Sequence, residues 1–346
     1  MRVSIKDIAK AAGVSHSTVS RALSDSPLVA DETRGRIQRI ARELGYTPNA
    51  IARAFVTQRT RTIGVIVTTI ADPFAGEVVR GIEEIAADNN YRIFLGTSHS
   101  DPDREVNLVK GLREWRVDGV IVAASRVGAL YLPLLKEIGV PLVLINNQHE
   151  GPFSHTVGVD NSQGAELATH HLISLGHRVI GYIGGPADHA SHRDRLMGYQ
   201  RALADANVPY DPSLVRSGTG RADSGEQVVQ LLARSPVPTA ISCYNDMTAI
   251  GALTALKRRG LRVPADISLV GFDDIEFTRY VDPPLTTIRQ PKDEMGLLAM
   301  RMLMDLLDGK IVTNVMVPGE LIVRESTRAL VKMEKNSHIT PFALSG

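Results

Sequence analysis

Apolar positions along this chain change period once, and the change divides it. In the first 46 residues they recur at helical spacing. Ile5, Ile8, Ala9 and Ala12 share one face, Val19, Ala22 and Leu23 a second, and Ile37, Ile40, Ala41 and Leu44 a third. Ser4, three residues before Asp7, has the spacing of a capping box, and Gly13 stands where the chain must turn through positive φ. Ser15 caps a second helix over 16–23, and Gly45 stops a third that runs from about Glu32 to Leu44. From Thr62 onward short β-branched runs take over, at 62–69, 92–97, 119–123, 142–146, 157–160, 179–184, 214–217, 240–243, 267–272 and 286–288. Amphipathic stretches separate many of them, at 74–89, 104–115, 162–175, 195–206, 225–233 and 247–259. That alternation predicts parallel sheets with helical crossovers, and ten strands divide better into two similar halves than into one sheet. A helix over 292–307 and a strand near 321–323 follow the second half and imply that the chain crosses between lobes repeatedly.

Charge sharpens the division. Residues 1–61 carry eleven Lys and Arg against five Asp and Glu, a net +6, while the whole chain of 346 residues is only +1. A basic head on a mildly acidic body predicts that the head alone meets a polyanion. One cysteine, Cys243, excludes an internal disulfide and fits a reducing cytoplasm. No apolar run reaches the roughly 18 residues of a membrane span, and the first residues lack a signal core. No membrane partner is therefore expected, and no cofactor. Gly181-Tyr182-Ile183-Gly184-Gly185 is not a dinucleotide fingerprint, and there is neither a phosphate-binding loop nor a nucleophile elbow. His170 and His171 are neighbours on a helix and diverge by about 100°, and His177 is not four residues from either, so no metal site is expected.

The first two helices read as a helix-turn-helix. Its second helix lies in the major groove, so His16, Ser17 and Arg21 face base edges, with Arg21 the natural bidentate donor to guanine. Ser15 and Ser20 suit phosphates, and Ser4 and Thr18 complete the candidate contacts. In the linker, Thr47 and Pro48 open a short helical stretch too marginal to persist alone.

The run Ser4-Ile5-Lys6-Asp7-Ile8-Ala9 through Ser20-Arg21-Ala22-Leu23 resembles the headpiece of the lactose/purine repressor family. The likeness continues through Leu44-Gly45-Tyr46-Thr47-Pro48-Asn49, Asn245-Asp246, Gly271-Phe272-Asp273-Asp274 and Pro284-Leu285-Thr286-Thr287-Ile288. It implies an all-α helix-turn-helix headpiece (1–46), a hinge helix or linker (47–61), and an α/β core of two parallel-sheet lobes, periplasmic-binding-protein-like (62–340). The first lobe would take about 62–160 and 291–320, the second about 162–289 and 321–340. It implies a homodimeric, cytoplasmic repressor of a catabolic operon that binds double-stranded DNA at a pseudo-palindromic operator. Paired hinge helices would enter the minor groove, with Asn49, Ala52 and Arg53 in contact and Phe55 as the wedge where leucine is usual.

The resemblance also implies an effector held between the lobes by Asp72, Phe74, Asp160, His189, Ser191, Arg195, Asn245, Asp246 and Asp273. Gly220 stands where relatives often carry a stacking aromatic, which implies a pocket roomier on that side, or a ligand that is larger or more acidic. The effector is expected to be a sugar or sugar derivative; His189, His192, Arg193 and Arg195 give the loop a basic cast that admits a sugar acid or sugar phosphate beside a plain sugar, unless His192 and Arg193 face solvent. The helices around Phe74–Ile85 and Gly96–Glu114 are the expected dimer surface. The competing reading is a small-molecule-binding or enzymatic α/β protein whose N-terminal helices mediate only protein contacts.

Overall fold

The computed structural model describes residues 3–46, 59–125, 139–147 and 155–330. The chain divides at Thr60 into two compact units. Asn49, Ala52, Arg53 and Phe55, with the rest of the expected hinge helix, lie outside the described residues.

The first unit is α1 (Ile5–Ala12), α2 (His16–Leu23) and α3 (Asp31–Glu43). Local chemistry sets the ends. The Ser4 amide and hydroxyl both donate to Asp7 Oδ2, at 2.9 and 2.8 Å, which closes the capping box and holds the Asp7 carboxyl below its ordinary range. Gly13 ends α1 at φ +67, a conformation that costs a side chain little only when it is absent. Ser15 Oγ accepts from the Thr18 amide at 3.1 Å and opens α2. Ile8, Val19, Ala22 and Ile37 are fully buried where the helices meet. Leu44 is not part of that core. The helix stops at Glu43, and Leu44, at its cap, is 41% exposed.

The second unit contains two six-stranded sheets. Its elements, in chain order, begin with β1 (Thr62–Val67), α4 (Pro73–Asp88), β2 (Arg92–Thr97), α5 (Pro102–Glu114), β3 (Gly119–Ala123), β4 (Leu142–Ile145) and β5 (Thr156–Val159). Then come α6 (Asn161–Ser174), β6 (Ile180–Ile183), α7 (Ala190–Asp205), β7 (Val215–Arg216), α8 (Val228–Leu232), β8 (Ala240–Cys243), α9 (Asp246–Arg258), β9 (Ser268–Asp273) and β10 (Thr286–Arg289). Last are α10 (Lys292–Leu307), β11 (Val315–Val317) and β12 (Glu320–Ile322). The first sheet is ordered β11-β5-β4-β3-β1-β2 and the second β12-β10-β9-β8-β6-β7. All pairs are parallel except β10 with β12. The inner strands β3, β4, β6, β8 and β9 are buried throughout. Parallel strands sandwiched between helices show that continuous apolar pattern in place of alternation.

The chain steps between the sheets after β5, after β10 and after β11. Strand β11 escaped the sequence pattern because it is three residues long. Asn314 Oδ1 accepts the Thr156 amide at 3.0 Å beside it. The helix expected over 195–206 begins at Ala190, five residues early, because the polar run Ser191–Asp194 masks its periodicity. The one expected over 225–233 is a 3-10 turn (Ala222–Gln227) leading into the short α8.

Helix α10 returns to the first lobe and crosses α4 at Gly81. A Cβ there would sit 2.1 Å from the Asp293 carbonyl oxygen, with Arg80 and Asp293 paired alongside. Backbone, not a flexible side chain, occupies that space. Gly81→Ala is therefore expected to lower stability by about 1–3 kcal/mol, the usual cost of overpacking. Urea unfolding measures it, and an unchanged midpoint would show that the two helices separate freely.

Candidate functional site

Two groups of polar residues stand out, one in each unit. In the first unit Val19 and Ala22 face the core, which turns His16, Ser17 and Arg21 to solvent and leaves Thr18 and Ser20 half-buried. Ser15 Oγ lies 2.8 Å from both Ser17 Oγ and Thr18 Oγ1, so three hydroxyls form a knot at the start of α2. The Arg21 guanidinium is exposed, while the Arg21 carbonyl accepts from the Ser26 amide at 3.0 Å. The sequence reading missed Lys6 and Lys10. They stand four apart on α1 and, with Ser15 and His16, line a concavity of about 530 Å³. Their outward spacing was the available signal. Ser4 is exposed, but its hydroxyl proton is committed to Asp7.

In the second unit the expected effector residues gather at the carboxyl ends of β1, β6, β8 and β9, where open α/β sheets bind ligands. Arg195 is the centre. Its Nε donates to Asn161 Oδ1 at 2.8 Å and its Nη1 to the Tyr244 carbonyl at 2.6 Å, while Nη2 lies 3.7 Å from Asp273 Oδ1. The guanidinium also stacks over the rings of Phe272, at 3.7 Å, and Tyr244, at 4.7 Å. Ser191 Oγ is 2.7 Å from Tyr244 Oη. Asp72 caps α4 through the Phe74 amide, and Phe74 is half-buried behind it. Asp160 caps α6 through the Gln163 amide, and Asn245 caps α9 while donating to the Gly220 carbonyl at 2.8 Å. His189 is half-buried at the start of α7.

Asp246 lies deeper, fully buried, accepting from Thr287 Oγ1 and from the Ile275 amide at 2.9 Å. It braces the strand ends from below and does not line an open surface. Asp273 accepts from Gln290 Nε2 at 2.6 Å, and Gln290 Oε1 in turn accepts from Asn146 Nδ2 at 3.0 Å, from the opposite sheet. Asp273 and Asp274 have φ of 120 and 51, consecutive positive values on residues with side chains. Strain of this kind survives only where surroundings enforce it. Here Lys292 Nζ donates to both their carbonyls, at 2.7 and 2.8 Å, and pairs with Glu77 at 3.5 Å. Asn146, Asn161, Tyr244, Gln290 and Lys292 are residues that sequence reasoning did not find.

Two expectations change. Gly220 does not open the pocket: the ring of Tyr244 fills that side. A Cβ on Gly220 would come within 3.1 Å of the ring and one on Gly185 within 2.7 Å, so two glycines make room for one aromatic. The loop is also less basic than its composition suggests. His192 is buried, its Nδ1 accepts the Gly185 amide at 3.1 Å, and burial, then Arg193 and Arg195, hold its pKa down, so it is neutral. Arg195 faces Asp273. Burial raises the Asp72 carboxyl, and burial lifts Asp273 to about 6 against the pull of Arg195. Asp274 is different. Burial works against its charge, but bonds from Arg324 and Arg289 hold it below its ordinary value. It points away from Asp273 and is spent on structure.

Comparison with known proteins fits both groups. Residues 4–49 match the profile of bacterial regulatory proteins of the lacI family, and 169–327 that of a periplasmic binding protein-like domain. The chain is 37% identical over 309 residues to the HTH-type transcriptional repressor PurR of Aliivibrio salmonicida, covering 88% of this chain and 92% of that protein. It is 38% identical over 330 residues to the HTH-type transcriptional repressor CytR of Escherichia coli K12, covering 94% and 96%. Among solved structures, the lac repressor dimer bound to operator and the anti-inducer ONPF superposes with a TM-score of 0.86 at 31% identity, over 95% of this chain and all of that one. The CelR–cellobiose complex does so with a TM-score of 0.72 at 33% identity, over 94% and 100%.

Proposed function

The chain belongs to the lacI family of bacterial regulatory proteins, a family of transcriptional repressors and not of enzymes, and from that premise we propose that its effector is a neutral, hydroxyl-bearing ring such as a sugar or nucleoside. The observation that carries this reading is the charge balance around Arg195. The Arg195 guanidinium faces the Asp273 carboxyl, which also feels the charge of Asp72, beside an imidazole kept neutral. A fork of donors opposite a carboxylate suits adjacent hydroxyls, whereas a phosphate or sugar acid would meet like charge. The basic loop that admitted an acidic effector is therefore set aside.

The protein acts as a homodimer on a pseudo-palindromic operator of a catabolic operon, in the cytoplasm. Arg21, His16 and Ser17 read bases, Lys6 and Ser15 hold phosphate, and Phe55 serves as the minor-groove wedge. The dimer surface includes Phe94, Leu95 and Trp115, which are 41, 48 and 66% exposed at the edge strand β2 and the end of α5. Part of the α4 surface, by contrast, is taken up by α10.

Calorimetry against neutral sugars, nucleosides, sugar acids and sugar phosphates, with and without operator, tests the effector class. Binding by acidic ligands alone would overturn it. Affinity for the neutral effector should also rise as pH passes upward through about 6, because ionised Asp273 accepts hydroxyl hydrogen bonds on both oxygens and accepts them more strongly than the neutral acid. In the free protein the sign is opposite. Its raised pKa makes the ionised form costly, so this carboxyl's contribution to stability falls as pH climbs from 3.8 to about 6.

A further inference from the structure

We propose that Glu166, His170 and Asp205 form a binding site for a divalent transition-metal ion that staples α6 to α7. Glu166 and His170 are one helical turn apart on α6, and Asp205 is the last residue of the neighbouring α7. His170 Nε2 lies 3.8 Å from Glu166 Oε1 and 3.6 Å from Asp205 Oδ2, and one ligand atom from each residue falls within 4.8 Å of the others. Zinc–ligand bonds of about 2.0–2.2 Å at tetrahedral angles place donor atoms roughly 3.4 Å apart. The imidazole nitrogen is thus within a few tenths of an ångström of a metal-binding separation from each carboxylate before any ion enters.

The scaffold beneath them is stiff. A Cβ on Gly198 of α7 would lie 2.1 Å from the Ser162 carbonyl oxygen of α6, so backbone contact fixes the helix spacing. Arg201 Nη1 adds a bond to Ser162 Oγ at 3.3 Å. Ser162 meets Gly198, and eight residues along α6 His170 meets Asp205, so the helices run side by side in the same direction. Side-chain rotation is enough to close the site.

One nitrogen and two oxygen donors leave a fourth position for water. That set suits zinc, cobalt or nickel and is a poor match for magnesium, which prefers oxygen alone. The sequence expectation of no metal site weighed His170 only against His171 and His177. It overlooked a carboxylate four residues upstream and another brought in by the fold. The site is separate from the effector cleft, since Arg195 stands ten residues before Asp205, about 15 Å along α7.

Zinc chloride titrated calorimetrically into the chelator-stripped full-length protein should show one equivalent per chain. Cobalt should give the visible absorption of a four-coordinate ion. His170→Ala, Glu166→Gln and Asp205→Asn should each weaken zinc by about tenfold or more, a loss that even partners of metal ligands commonly cause. Zinc should raise the melting temperature of the parent protein and not that of His170→Ala. The three side chains are 34–61% exposed, so the variants should keep the metal-free melting temperature. If His170→Ala misfolds, the two conservative variants carry the test. No equimolar site, or one that survives all three substitutions through the chain's other histidines, would overturn the proposal.

Discussion

Replacing Arg21 with alanine should remove most of the protein's preference for its operator over random DNA. Arg21 is exposed on the outer face of α2, with its Cα held by the buried Val19 and Ala22 on either side. A bidentate arginine–guanine pair contributes about 1–3 kcal/mol of discrimination, and two half-sites double it, so the expected loss is roughly 30-fold to 10⁴-fold. Non-specific binding should change far less, because it follows phosphate contacts. Lys6→Ala should do the reverse, weakening all sequences alike and flattening the salt dependence. Fluorescence anisotropy on an operator selected with the parent protein and on a scrambled duplex, at several salt concentrations, separates the two. An unchanged ratio in Arg21→Ala would remove Arg21 from base recognition.

The second large effect concerns Arg195. It is 5% exposed and linked to Asn161, Tyr244 and Asp273. Arg195→Ala leaves Asp273 buried without its cation, and breaking a buried pair in this way costs about 3–5 kcal/mol. Effector binding should vanish, while the separately folded first unit keeps its affinity for DNA. The stability deficit should shrink at low pH. Without Arg195 the Asp273 carboxyl rises above its present value of about 6, and protonation then removes the unpaired charge. Urea unfolding at pH 5 and pH 8 checks this. Equal deficits at both would show that lost packing against Phe272 and Tyr244, and not charge, accounts for the effect.

Legibility in the sequence followed the range of the interactions. The bounds of α2 agree with the sequence residue for residue because Gly13 and Ser15 are adjacent to the turn they dictate. Strands β2, β3 and β8 agree likewise, each a short run built around consecutive apolar residues. Leu44 was misplaced because periodicity does not say where the last turn stops. Tyr244 was invisible for another reason. Its part depends on Gly185 and Gly220, two remote glycines that pack against one ring only in three dimensions. The charge state of the loop was misjudged on the same grounds. Composition counts His192 as basic, but burial makes it neutral. Lys292, the first residue of a helix, carried no sequence signal for its role, because only the fold sets its ammonium on two strained carbonyls.

That ammonium has a thermodynamic consequence. Lys292 begins a helix rooted against the first sheet, yet it grips the backbone of Asp273 at the carboxyl end of the inner strand β9 of the second. A pull on Asp273 is therefore expected to reach α10, and a rotation of α10 to alter how Asp273 presents its carboxyl. Linkage makes such influence reciprocal: the factor by which effector changes operator affinity equals the factor by which operator changes effector affinity. Titrating effector into free protein and into the operator complex therefore measures the regulatory strength of the molecule directly. Lys292→Met should bring those two affinities together while the second unit remains folded.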